Sequence, residues 1–92
     1  MKVIIREAAY DDLDRIYAWI AKDNPRAADS IIDSILDSTE LLGRNPHIGH
    51  VGRARDTYEW VVRNTPYIVV CTIDPDEDFL AVIAVFHGAQ DR

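Results

Sequence analysis

Cysteine occurs once in these 92 residues, as Cys71, which excludes an internal disulfide framework and a metal site built from several thiolates. Basic charge is scarce: ten Lys and Arg stand against sixteen Asp and Glu, a net charge of −6. A field of that sign repels nucleic acid rather than steering toward it. Long hydrophobic runs are missing as well. The longest, Phe79–Phe86, and others such as Tyr67–Cys71 fall far short of the ~20 residues that a bilayer-crossing helix needs. The first residues, Met1 to Glu7, contain no extended apolar stretch like that of a secretory leader, so the expectation is a cytoplasmic protein without membrane association. No repeat, low-complexity tract or linker divides the chain. With 48% apolar and 28% charged residues it reads as one globular domain spanning 1–92, near the lower size limit for independent folding.

Hydrophobic periodicity supplies the elements. Lys2–Arg6 is rich in β-branched residues and reads as a short strand. Ala9, Leu13, Ile16, Tyr17 and Ile20 then form the stripe of an amphipathic helix over residues 8–22, with Asp11, Asp12 and Asp14 near its positive end. Asn24-Pro25 predicts a second helix, because Asn24 can cap with its side-chain oxygen and Pro25 loses no needed donor. Its buried face is Ala28, Ile31, Ile32, Ile35, Thr39 and Leu42, with Leu36 at the margin and Gly43 as a left-handed stop. The segment from Asn45 to Arg55 carries Pro46, Gly49 and Gly52 and reads as a loop. Three strands follow, Thr57–Arg63, Tyr67–Ile73 and Phe79–Phe86, joined by short turns as consecutive antiparallel hairpins. The apolarity of Tyr67–Ile73, interrupted by Thr72 alone, predicts a central strand covered on both faces. The fold class is α+β, order β-α-α-β-β-β: a helical hairpin packed on a mostly antiparallel four-stranded sheet.

Charge is unevenly spread. Leu41 to Arg55 contains no acidic residue but holds Arg44, Arg53 and Arg55, so an anion-binding site belongs there. Asp74-Pro75-Asp76-Glu77-Asp78 reads as a solvated turn. Asp29, Asp33 and Asp37 recur every four residues on the outer face of the second helix, as a solvated face or a docking ridge for a basic partner. His47 and His50 have no third ligand in the sequence around them, so no metal and no cofactor are expected. His87 closes the last strand, to fix the terminal turn or to serve as a general base. Cys71 is expected to be a buried filler. Trp60 is expected to pack on the helices, while Trp19 lies off the apolar stripe, placed for exposure at a partner-binding groove.

Three local patterns and the element order carry a resemblance. Pro46-His47-Ile48-Gly49 leads into the basic loop, Thr65-Pro66-Tyr67-Ile68-Val69-Val70 opens a strand, and Phe86-His87-Gly88-Ala89-Gln90-Asp91 closes the chain. With the start of the second helix at Asn24-Pro25, these resemble toxins of the RelE/ParE superfamily from bacterial type II toxin–antitoxin systems, over essentially the whole chain. The resemblance implies one of two activities. RelE-like members cleave mRNA in the ribosomal A site with a cluster of basic side chains. ParE-like members share the fold, lack most of that cluster, and poison DNA gyrase. Both are neutralised by an antitoxin whose C-terminal segment wraps around the toxin, here expected to be a ribbon-helix-helix, ParD-like protein.

RNA cleavage requires removal of the 2′-proton, stabilisation of phosphate charge and a donor for the leaving oxygen. Arg53 and Arg55 match the basic loop of RelE-like enzymes, and Arg63 is a candidate third phosphate contact. The family's frequent arginine after Tyr67 is Ile68 here, Cys71 replaces a frequent tyrosine, and the C-terminal segment offers His87 and no tyrosine. The expectation is therefore a ParE-like growth inhibitor that touches its target through Arg44, Arg53, Arg55 and His87. Its antitoxin would be met by Trp19, Asp29, Asp33 and Asp37. A RelE-like nuclease using Arg53, Arg55, Arg63 and His87, and a non-toxic interaction module, are the alternatives.

Overall fold

The chain is seen in a computed structural model that describes residues 1–89. Its elements are β1 (Lys2–Ile5), α1 (Glu7–Ala21), α2 (Pro25–Arg44), β2 (His50–Val51), β3 (Tyr58–Val61), β4 (Tyr67–Asp74) and β5 (Phe79–His87). The strands form one sheet in the order β1-β5-β4-β3-β2. The pairings β2–β3, β3–β4 and β4–β5 are antiparallel, while β1 lies parallel to β5 with Lys2 opposite Phe79 and Ile5 opposite Val82. The sheet has five strands, not four. The additional one, β2, comprises two exposed residues within the segment read as a loop, too short to show any alternation. Thr57 C=O holds it in place by accepting Gly52 N–H at 2.8 Å, and a Glu59 carboxylate oxygen accepts Arg53 N–H at 3.2 Å.

Helix α2 starts as its sequence dictates: Asn24 Oδ1 accepts the Ala27 N–H at 3.1 Å and Pro25 occupies the first turn. Its end differs from expectation. Gly43 lies inside the helix and no glycine has positive φ; Asn45, at φ −138°, closes the helix instead. Gly43 is required for proximity. A Cβ there would sit 2.5 Å from Val3 Cγ2, because α2 crosses β1 at this point. The αL turn positions fall to Asp56, Asn64 and Asp78, whose short polar side chains tolerate that conformation.

The core is a single cluster between the helices and one sheet face: Ala9, Leu13, Ile35, Leu42, Val62, Tyr67, Val69, Cys71, Leu80, Val82 and Val85. Trp60 packs against it, as does Ile16. Two expectations need correction. Tyr17, assigned to the apolar stripe, is exposed, and Asp29 across the helical hairpin accepts its hydroxyl and raises its pKa. Strand β4 is central but carries helices on one face only. Val70 and Ala81 are buried outside the core cluster, on the opposite face, shielded by their strand neighbours.

Candidate functional site

The geometry of β5 defines the main candidate site. Strand β1 is four residues long and pairs only with Phe79–Val82. Val82 faces Cys71 and Ala84 faces Val70, which leaves Ile83 as an extra residue, a β-bulge. The bulge resets the alternation, so Val82 and Val85, three residues apart, both point into the core. Beyond it, among the described residues, no strand flanks β5 on the β1 side. The Val85 N–H turns instead to Asp12 of α1, whose Oδ2 accepts it at 2.9 Å. The other Asp12 oxygen is ion-paired with Arg15. A groove of about 410 Å³ runs along this edge, walled by Asp12, Arg15, Ile16 and Trp19 on one side and by Ala84–His87 with Tyr67 on the other. Trp19 is 70% exposed at its rim, with the Lys22 ammonium 5.4 Å from its ring centroid.

His87 closes the groove. Its ring meets Tyr67 edge-on, centroids 5.4 Å apart at 82°, and its Nδ1 accepts the Ala89 N–H at 3.0 Å. The histidine thus fixes the turn after β5. The remainder of the terminal segment singled out in the sequence, residues 90–92, lies outside the described residues.

A second depression, of about 440 Å³, lies between α2 and the turn after β3, lined by Asp37, Ser38, Trp60, Arg63 and Asn64 among others. The Trp60 indole nitrogen is buried beside the helices without a hydrogen-bond partner among the described residues.

The sequence candidates do not converge on one point. Arg53 and Arg55 occupy the turn between β2 and β3; Arg55 is almost fully exposed, with Asp56 at 3.9 Å. Arg63 lies past the other end of β3, and His87 pairs in register with Tyr67 at that same end of the sheet. Arg44 ends α2. Asp29, Asp33 and Asp37 are exposed on α2, Asp29 engaged with Tyr17 and Asp37 lining the second depression, as Arg63 does. Trp19 belongs instead to the β5 groove. Cys71 is buried, and desolvation pushes its thiol up to about 11, the opposite of an activated nucleophile. His47 and His50 are exposed, and among the described residues no three His, Cys, Asp or Glu side chains gather as a metal would need. No described helix is long and apolar enough to cross a membrane.

Sequence reasoning missed Asp12. Its sequence context places it with Asp11 and Asp14 as a dipole-complementing charge, whereas its carboxylate accepts a strand N–H 73 positions away. Only its position one residue before the buried Leu13 hinted that it faces the sheet side.

Relatives agree with this architecture. Residues 3–92 match the family described as the ParE toxin of the type II toxin–antitoxin system parDE. A Sinorhizobium fredii protein named "Putative toxin Y4kP" is 37% identical over 71 residues, covering 77% of this chain and 74% of that protein. Among solved structures, the chromosomal ParDE system of P. aeruginosa superposes with a TM-score of 0.80 over 95% of both chains at 16% identity. The toxin–antitoxin complex RelBE2 of Mycobacterium tuberculosis gives 0.66 over 94% of this chain and 95% of that one, at 22% identity. The intact E. coli RelBE complex gives 0.60, over 99% and 98%, at 15% identity. At such identities the structures speak for the shared fold, while the family match and the closer sequence relative speak for descent. The chain belongs to the ParE toxin family of type II toxin–antitoxin systems.

Proposed function

We propose that this toxin arrests growth by binding a macromolecular target of the DNA gyrase kind, without cutting RNA, and that a cognate ParD-like antitoxin neutralises it. The observation that carries the reading is the scattering of its cations. Arg53 and Arg55 sit at one end of β3, Arg63 and His87 toward the other. Phosphodiester cleavage needs a proton acceptor and charge-stabilising donors around one phosphorus. Of the histidine and cysteine candidates singled out, His87 uses Nδ1 for its own turn and Cys71 is buried. An arginine stays protonated and is a poor base. The turn of Arg53 and Arg55 remains suited to a binding contact, since both residues are exposed there.

Induction of the chain alone in bacteria tests the reading. Filamentation and a DNA-damage response are expected, and Arg53→Ala with Arg55→Ala should relieve them. Transcripts cut at ribosomes by the purified protein would overturn it in favour of a nuclease. Normal growth would overturn it in favour of an inert module.

A further inference from the structure

We propose that the depression between α2 and the turn after β3 is a binding site for a small zwitterion, a free α-amino acid with an apolar side chain. It lies at the end of β3 away from Arg53 and Arg55, so it stands apart from the target contact proposed above.

Three observations carry it. First, the helix stripe that faces this space has the wrong polarity for packing alone. Ser34, Asp37, Ser38 and Leu41 follow one another at offsets 0, 3, 4 and 7, the spacing of a single helix face, and all four line the depression. A helix face turned toward a sheet is ordinarily apolar, and of these four only Leu41 is. Second, two buried polar groups there are unpaired. Ser38 is 8% exposed, and its hydroxyl makes no hydrogen bond among the described residues. Trp60 also lines the depression, and its indole nitrogen is buried without a partner among the described residues. Buried polar groups left unmade are costly, and an occupant that brings donors and acceptors relieves that cost. Third, charges of opposite sign border the same space without meeting. Asp37 on the helix and Arg63 on the turn both line it, and neither is ion-paired among the described residues. Such a pair is complementary to one molecule that carries both signs. The planar guanidinium of Arg63 suits a carboxylate, and Asp37 suits an ammonium group. Leu41 and Val62 supply apolar ground for the ligand's side chain. At about 440 Å³ the space falls in the range of small-molecule sites, ~300–1,000 Å³.

The full chain, labelled with 15N, tests the proposal by titration with L-phenylalanine, beside phenylpropionate, which lacks the ammonium, and phenethylamine, which lacks the carboxylate. L-phenylalanine is expected to shift the Trp60 indole N–H and the backbone amides of Ser38, Arg63 and Asn64 at millimolar concentration. Each analogue should bind at least about tenfold more weakly, for the loss of one charge-assisted contact. Arg63→Ala should weaken L-phenylalanine by about tenfold and leave phenethylamine unchanged. Asp37→Asn should weaken it similarly and leave phenylpropionate unchanged. Ser38→Ala should not lower the urea midpoint of the free chain, because it removes an unpaired hydroxyl and alanine is the better helix former, yet it should weaken L-phenylalanine. Tyr10→Ala, at an exposed position of α1 outside the depression, should leave binding as it is. Equal affinity for the three compounds, shifts confined to Trp19 and Ala84–His87, or no shift at tens of millimolar would each overturn the proposal. A lowered midpoint for Ser38→Ala with binding unchanged would assign that serine to the fold alone and overturn it as well.

Discussion

Gly43 shows how one residue is held by two opposed demands. An alanine in a helix interior gains ~1 kcal/mol over glycine. Here its methyl would meet Val3 Cγ2 at 2.5 Å and the Met1 carbonyl at 3.2 Å, and overpacking of that kind costs ~1–3 kcal/mol. The steric term wins, so Gly43→Ala should lower the urea midpoint, and adding Val3→Ala should recover part of the loss in a double-mutant cycle. Cys71 has a predictable chemistry for a similar reason of crowding. Its thiol is pushed up to about 11 from an ordinary value of 9, so the folded chain keeps a proton that the unfolded chain releases. The resulting stabilisation is complete below pH 9 and disappears as pH rises through 11. Unfolding midpoints measured across that interval should fall more steeply than in Cys71→Ala, which has no thiol to ionise. Alkylation by iodoacetamide at pH 8 should proceed only as fast as the chain opens. Both residues were visible in the sequence, but only Cys71 was read for its right reason. Glycine near a helix end signals a stop by default, and nothing local distinguishes a stop from a close crossing.

Within elements, the most reliable signals were those generated by the chain's immediate neighbours. Asn24-Pro25 predicted a capped helix start, and the cap is present at 3.1 Å. Asn24→Ala should cost ~1 kcal/mol, measurable by thermal or urea unfolding, with Asn24→Asp close to neutral because aspartate caps equally well. The Asp74–Asp78 turn formed as read: Asp74 Oδ1 accepts the N–H groups of Asp76 and Glu77. Features set by distant partners were not legible. The run from Leu80 to Phe86 is apolar at every position, so periodicity could not reveal the bulge at Ile83 that turns Val85 inward. A strand of two residues, β2, has no period at all. Asp12 looked like its acidic neighbours until β5 was placed beside it. The candidate site was therefore legible in part, through the exposed Trp19, while the strand edge below it was invisible because β1's length, not any residue of β5, creates it.

For the whole molecule, sign and shape act together. With a pI near 4.8 and its acidity concentrated in the helical layer, the chain should show no detectable non-specific binding to duplex DNA or RNA in gel shifts at physiological salt. Basic proteins bind such duplexes with Kd of about 10⁻⁴–10⁻⁶ M under those conditions. Retention of a labelled duplex in that range would show that the Arg53–Arg55 turn outweighs the global field. Topology adds a temporal constraint. Strand β1, at Lys2–Ile5, finds its parallel neighbour only at Phe79–Val82. Closing a loop of that length carries a large entropy cost before any contact offsets it, so non-local pairings of this type slow folding. During synthesis the first strand waits with its edge unmet until Phe79–Val82 has left the exit tunnel. The finished shape, and any harm that depends on it, is a property the cell acquires only once that distant strand has emerged.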